Sequence, residues 1–263
     1  MTIPGSVVNE AIEALEVAVH RLARAIDRPL YLGEPGRGHF RYAKRNSQVM
    51  QILKAVRIVS GLRATVHLVR VGHLQEAAVV LRSVQDALQD IQVVDEAHFN
   101  ESGAKEYQQR LVDEFFEDDV ERLQATLAGE DKRVPRVPRK KKLAAIERRL
   151  APAAAGYPIR AALEGVALGL DGYTHCGYAQ VMELYSASRE REGFNIRGVF
   201  EPGRVRTAIL WTAQFVHPAL NVLAGLLRDA KLPDDAETLL HLRRKLEASE
   251  EYPRGSRVRG SVA

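Results

Sequence analysis

The chain of 263 residues has only one cysteine, Cys176, so it has no intrachain disulfide. It has no uncharged apolar run of about 18 residues, and its N-terminus has no basic segment followed by an apolar one. It also has no phosphate-binding loop, Gly-x-Ser-x-Gly motif, dinucleotide fingerprint or zinc-ligand spacing. These absences predict a cytoplasmic protein that does not bind to membranes. They also give no support to the enzyme classes that are recognised by these motifs.

Sustained alternation of apolar and polar residues is also absent, so we predict no sheet. Apolar residues instead recur at three- and four-residue steps, which is typical of helices with one buried face. Short turns between these segments place successive helices antiparallel. We therefore predict an all-α fold, an antiparallel bundle of about seven to nine helices.

The expected helices begin at Ser6, which is a suitable N-cap, and the first helix ends before Pro29. Pro218, inside a strongly apolar segment, predicts a kink or a break near His217, whose ring would then bond to the freed carbonyls. The remaining helices are expected at about 40–71, 72–98, 104–127, 140–150, 159–186, 205–227 and 236–248.

Charged residues are unevenly distributed along the chain. The net charge is only +4, but residues 101–121 hold eight acidic side chains and residues 132–142 hold seven cations and no acid. Pro135 and Pro138 favour extended backbone within the basic run. We predict an N-terminal helical bundle at 1–129, a basic linker at 130–142, and helices at 143–250 that pack on the first part as one composite domain. Residues 251–263 are predicted to be a disordered tail.

The helix at 72–98 carries the first candidate site. Arg82 and Asp86 are neighbours at a spacing of four on an otherwise apolar helix, which indicates a partly buried pair. A structural ion pair is the favoured interpretation. The alternative is a ligand-facing pair, because a buried arginine can hold a carboxylate or phosphate with two nitrogens. In that alternative, His175, Tyr178 and Glu183 complete a pocket with Arg82 and Asp86.

The same helix resembles the signature of a family of all-helical bacterial proteins whose function is not established. The signature consists of a turn, Glu-Ala, an apolar run, Arg-Ser and an acid followed by Ala, and here it lies at 72–87. The resemblance extends over about 71–185: Ala104, Tyr107 and Arg110 have counterparts, and Tyr173-Thr174-His175 resembles a later element. Asp86 stands where glutamate is usual. The resemblance implies a helical fold and a setting in bacterial stress or phage defence, but no catalytic role.

Some families of this kind are similar to small RNases of prokaryotic defence systems, whose active sites have an arginine, four to six intervening residues and a histidine. None of the eight histidines here has that spacing. Three residues separate Arg63 from His67, and two separate Arg70 from His73. The nuclease interpretation therefore loses its main support.

A metal site is a weaker candidate. Asp171, His175 and Glu183, together with Asp95 and His98, are the residue types of a di-metal helical bundle. Such sites use two helices with a carboxylate-x-x-His pattern, and only one such pattern is present. We therefore predict no metal and no cofactor. We expect a histidine of this set to form a hydrogen bond with an acid within the bundle. We also expect the thiol of the neighbouring Cys176 to pack as a small apolar group.

The basic run provides the third candidate, with nucleic-acid contacts at Arg133, Arg136, Arg139, Lys140, Lys141 and Lys142. The favoured interpretation is a solvated linker, because the run lacks aromatic side chains on which bases stack. The leading hypothesis is a helical binding or interaction protein, with a protein partner or a second copy of the chain. The alternative is a nucleic-acid-associated protein or divergent nuclease that uses the basic run and the Arg82 pocket. Whether the protein is an enzyme stays open.

Overall fold

Helices dominate the computed structural model of the chain, which describes residues 6–34, 38–94, 102–117, 127–128, 136–150, 158–188, 191–199 and 201–253. The predicted all-α, multi-helix fold is confirmed. The described residues contain nine helices: α1 Ser6–Arg24, α2 Ser47–Arg70, α3 Leu74–Val94, α4 Ser102–Phe116, α5 Arg139–Leu150, α6 Ile159–Thr174, α7 Tyr178–Met182, α8 Pro202–Asp229 and α9 Pro233–Ala248.

Two short hairpins correct the expectation that the chain has no sheet. Strand β1 (Leu30–Leu32) pairs antiparallel with β2 (His39–Arg41), and β3 (Tyr185–Ser188) pairs antiparallel with β4 (Arg191–Phe194). Strands of three or four residues are too short to give a recognisable period of two. Because of the first hairpin, α2 begins at Ser47 and not at the predicted position near residue 40. Asn46 is its N-cap, and the Asn46 side chain accepts a hydrogen bond from Val49 N at 3.0 Å.

The main core forms between helices from both ends of the chain. The buried face of α1 contains Val8, Ile12, Leu15, Val19 and Leu22, at the predicted helical spacing. It packs in one continuous apolar cluster with buried residues of α2, α3, α8 and α9. This packing places α8 beside α2 and α3.

A second, smaller apolar cluster lies at the other end of α2 and α3. It contains Met50 of α2, Val93 and Val94 of α3, and residues of α4, α5 and the start of α6. Val137, in the part of the predicted linker that the structure describes, is buried in this cluster. The residues at 139–142, assigned to the same linker, form the first turn of α5. Residues 130–135 of the predicted linker and 254–263 of the predicted tail lie outside the described residues.

Close approach of α2 and α3 depends on Gly61. A Cβ atom at Gly61 would lie 2.5 Å from Val84 Cγ2, so any larger residue would push the two helices apart. Gly61 therefore has a packing role in α2. The α2–α3 pair is therefore held at a short distance in the middle of the fold.

Among the described residues, only α8 is long and apolar enough to cross a membrane, by length and composition alone. Half of its most apolar 18-residue window is buried inside the fold, and the core helix of a soluble protein passes the same test. The helix continues through Pro218, so a break does not occur there. His217 Nε2 lies 2.6 Å from Glu247 Oε1, which replaces the expected contact with freed carbonyls.

Candidate functional site

Arg82 joins α3 to α6 through two carboxylates. Its Nε donates to Asp171 Oδ1 at 2.5 Å, and its Nη1 donates to Asp86 Oδ1. The Arg82 side chain is 15% exposed, that of Asp171 is 29% exposed and that of Asp86 is 53% exposed. The predicted Arg82–Asp86 pair is therefore present. Arg82 has a second and more buried acid partner, Asp171, which the spacing of the pair does not predict.

Arg139 at the start of α5 adds a second cation to this cluster. Its Nη1 lies 3.5 Å from Asp171 Oδ2, so Asp171 lies between two guanidinium groups. Burial lowers the pKa of Arg82, but hydrogen bonds with Asp86 and Asp171 outweigh that effect and leave the pKa above its ordinary value. The cluster ties α3, α5 and α6 together.

The other members of the predicted Arg82 pocket do not join this cluster. Helix α6 ends at Thr174, so His175 lies at its exposed C-cap. Tyr178 is 81% exposed. Within the described part of the chain, neither residue makes a hydrogen bond or ion pair with Arg82. Cys176 is exposed in a turn with φ of 52°, so the expectation that its thiol packs inside the bundle is wrong.

Asp90 forms a second polar cluster, two turns along α3 from Arg82. Its carboxylate accepts from Lys54 Nζ at 2.9 Å and from Lys142 Nζ at 2.7 Å. The Asp90 side chain is 9% exposed, and the lysine side chains are 21% and 16% exposed. The Lys54 ammonium also lies 5.0 Å from the centre of the Phe115 ring. One buried acid therefore holds two lysines from α2 and α5.

Tyr107 of α4 lies in the same electrostatic environment. Burial raises its pKa to about 12, and the negative charges of Glu114 and Asp90 act in the same direction. Its hydroxyl oxygen is buried and has no hydrogen-bond partner among the described residues. Glu114 accepts from Val137 N at 2.9 Å, which attaches the segment before α5 to α4.

A pocket of about 310 Å³ opens beside α3, on the side of α2, α6 and α8. We name it the α3–α8 pocket. Its walls combine residues from five segments that are distant in sequence. The lining residues are Thr65, Val69, Gly72, Leu74, Gln75, Ala77, Ala78, Leu81, Tyr173, Glu183, Leu184, Val199, Arg204, Thr207, Ala208 and Trp211.

The polar groups of the α3–α8 pocket include an acid paired with a phenol. Both carboxylate oxygens of Glu183 lie 3.1 Å from the Tyr173 hydroxyl, which donates to them. Burial and the neighbouring Glu183 charge together raise the pKa of Tyr173 to about 12. Tyr173 therefore stays a hydrogen-bond donor throughout the physiological range. Glu183 is the member of the predicted Arg82 pocket that belongs to this one instead.

One wall of the pocket is fixed by a backbone contact between the α2–α3 turn and the segment after β4. Val199 N donates to Gly72 O at 2.9 Å. Gly72 has φ of 79°, and a Cβ there would lie 2.9 Å from Val199 N. Gly198 has φ of 109°, and a Cβ there would lie 2.6 Å from Val71 O. Only glycines allow this approach, which places Val199 on the pocket wall.

The basic run is divided between the interior and the surface. Lys142 and Arg139 contact Asp90 and Asp171, whereas Arg136, Lys140 and Lys141 are exposed. Arg133 lies outside the described residues, as do Asp95 and His98 of the metal candidate. In the described ranges, no group of three His, Cys, Asp or Glu side chains is placed to hold a metal ion.

Comparison with known proteins finds no match. No family model, no curated protein and no solved structure is similar enough to the chain to match it. The resemblance of residues 72–87 to a bacterial helical family therefore stays a prediction.

The sequence did not predict the acid that is most buried among the described residues, nor most of the pocket. Asp90 follows Arg82 and Asp86 at the same step of four, so the spacing would have revealed it. Trp211 stands among the apolar residues of α8, but it is 37% exposed and lines the pocket. Arg204 and the role of Tyr173 depend on contacts between distant segments, for which the sequence contains no local signal.

Proposed function

We propose that the chain is a helical binding protein whose ligand site is the α3–α8 pocket. The observation that carries the proposal is a pocket of about 310 Å³ whose walls are mainly apolar and include a smaller polar part. Concave sites of this size and composition are typical of small-molecule binding. A setting in bacterial stress or phage defence is part of the proposal through the family resemblance alone.

The pocket walls are positioned before a ligand arrives. Ala77, Ala78 and Leu81 belong to α3, whose buried face is part of the main core. Gly72 and Val199 are joined through their backbones. A preformed site loses less conformational entropy on binding, and this loss is a main cost of association. These features support a binding role for the pocket.

Trp211 makes the proposal testable because it is the only tryptophan in the chain and it lines the pocket. The full-length protein is titrated with phenylnaphthylamine, a neutral apolar fluorophore, and energy transfer from Trp211 is followed. We expect saturable binding with one site per chain. We also expect a ligand at 100 times its Kd to stabilise the fold by about 2.7 kcal/mol, because it binds the folded state alone.

A matched pair of variants locates the binding site. Ala208→Phe places a ring in the pocket, whereas Gln214→Phe places the same ring on the exposed side of the same helix. Binding is expected to weaken at least tenfold in the first variant and to stay unchanged in the second. Equal binding by both variants, or no saturable binding by the unmodified protein, would reject the pocket as the ligand site.

Nucleic-acid association is the second candidate. Lys140 and Lys141 are exposed in the first turn of α5, where the helix dipole is positive. A phosphate group there would reduce the repulsion between these lysines and the dipole. Retention on heparin is expected to fall in a Lys140→Ala, Lys141→Ala variant. Lys142 is left intact because it binds Asp90. No retention of the unmodified protein at low salt would reject this candidate.

A further inference from the structure

The carboxylate of Glu183 is paired with a neutral group. It accepts hydrogen bonds from the neutral Tyr173 hydroxyl, and among the described residues no Lys, Arg or His forms an ion pair with it. Glu183 is exposed and lines the pocket, so it lies at the mouth. A negative charge at the edge of an apolar cavity favours a positively charged ligand group.

Arg204 does not offer a competing anion site. It is the one cation among the described residues that line the pocket. Its Nε lies 2.8 Å from Glu201 Oε2, and its Nη1 donates to the Glu183 carbonyl oxygen at 3.1 Å. Its charge already has an acid partner, so the lining groups with Glu201 carry two negative charges and one positive charge. An anionic ligand would meet net repulsion there.

The remaining walls suit the other parts of an amphipathic cation. Trp211 presents an indole ring, the aromatic group that attracts cations best, to the pocket. Val69, Leu81 and Ala208 provide apolar surface against which a hydrocarbon chain loses contact with water. The cavity lies at the lower end of the usual ligand-pocket range of roughly 300–1,000 Å³, which limits the ligand to a small molecule.

We infer that the α3–α8 pocket binds a small organic ammonium ion with an apolar body, with Glu183 contacting the ammonium and Trp211 lying beside it. This inference rests on the proposed binding function and adds the ligand class. A primary ammonium donates hydrogen bonds to the carboxylate and leaves the Tyr173–Glu183 contact in place. The apolar body occupies the space between α3 and α8.

The test compares three ligands with the same hydrocarbon chain: hexylammonium, hexanol and hexanoate. Each competes with phenylnaphthylamine for the full-length protein at neutral pH, with Trp211 as the energy donor. Hexylammonium is expected to bind at least tenfold more tightly than hexanol, and hexanoate is expected to bind most weakly. Equal affinities, a preference for hexanoate, or no competition by any of the three would overturn the ligand class.

Variants of Glu183 identify the recognising group. Glu183→Gln is expected to reduce hexylammonium to the affinity of hexanol without changing hexanol, and Glu183→Lys is expected to reverse the order in favour of hexanoate. Glu13→Gln removes one exposed acid outside the pocket and controls for net charge. A preference that survives Glu183→Gln, or that is lost in Glu13→Gln, contradicts the inference. If phenylnaphthylamine itself does not bind, the proposed function fails together with the ligand class.

Discussion

Lys142 Nζ donates a hydrogen bond to Asp90 Oδ1 at 2.7 Å and thereby joins α5 to α3. Lys54 of α2 contacts the other oxygen of the same carboxylate at 2.9 Å. One cation of the basic run therefore belongs to the interior of the protein. The presence of two lysines around one acid also leaves the cluster with a net positive charge, so its stability depends on Asp90.

Removal of Asp90 is expected to destabilise the fold strongly. In Asp90→Ala, Lys54 and Lys142 remain partly buried without their acid, which costs about 3 kcal/mol. Lys142→Met costs about 1 kcal/mol, because Lys54 still pairs with Asp90. Urea unfolding measures both free energies. Lys141→Met, at an exposed position of the same turn, is the control, and a loss in Asp90→Ala no larger than in this control contradicts the prediction.

The two acid partners of Arg82 are expected to contribute unequally to stability. Asp171→Ala leaves a largely buried arginine with a single exposed partner, so it costs about 2 kcal/mol. Asp86→Ala removes a half-exposed contact at a spacing of four, which costs less than about 0.5 kcal/mol. Urea unfolding of the two variants checks the order. Equal losses of unfolding free energy, or a larger loss in Asp86→Ala, would contradict the prediction that Asp171 is the more important partner of Arg82.

The helical pattern was predictable because it is local. The buried residues of α1 recur at the predicted steps, and α3 begins and ends near the predicted turns. The hairpins were missed because their strands are too short for a pattern. The start of α2 near residue 40 was therefore misplaced, and the helical segment predicted at 159–186 ends before β3 begins.

The candidate site was only partly predictable because most of it is non-local. Arg82 and Asp86 share one helix, so their spacing predicts their contact. Asp171 and Glu183 are predicted to lie on one helix, but α6 ends between them. Asp171 bonds to Arg82, whereas Glu183 lines the α3–α8 pocket. The sequence contains no signal that Trp211 and Glu183 line one pocket, because this depends on how α8 packs across α3.

Stability is expected to fall with pH between about 10 and 12, because Tyr107 and Tyr173 have raised pKa values. Both shift from 10.0 to about 12 in the folded protein. Their stabilising contribution is complete below the unfolded pKa and is lost as the pH rises through the folded pKa, because the unfolded chain releases its protons first. Phenolate absorbance of the folded protein is expected to show Tyr107 and Tyr173 titrating near pH 12.

Substitution of Tyr107 and Tyr173 separates the two late groups. Tyr107→Phe is expected to remove one late-titrating phenol, and the double variant with Tyr173→Phe to remove both. The decline of unfolding free energy above pH 10 should become shallower in the same order. Late titration that persists in the double variant would assign the raised pKa values to other tyrosines.

Two glycine-to-alanine substitutions inside helices are expected to have opposite signs. Alanine at an open helical position stabilises by about 1 kcal/mol, which is expected for Gly225 because no atom lies within 4 Å of its added Cβ. At Gly61 the added Cβ would lie 2.5 Å from Val84 Cγ2. Overpacking of this kind costs about 1–3 kcal/mol, so Gly61→Ala is expected to be destabilising by about 1 kcal/mol after the helical gain.

The double variant Gly61→Ala, Val84→Ala provides the decisive comparison. It removes the side chain that the new Cβ would meet, so the penalty of Gly61→Ala measured in the Val84→Ala background is expected to disappear. Urea unfolding of the four proteins gives the coupling free energy between the two positions. A Gly61→Ala penalty that is the same in both backgrounds would mean that α2 requires glycine for its own backbone, and not for its contact with α3.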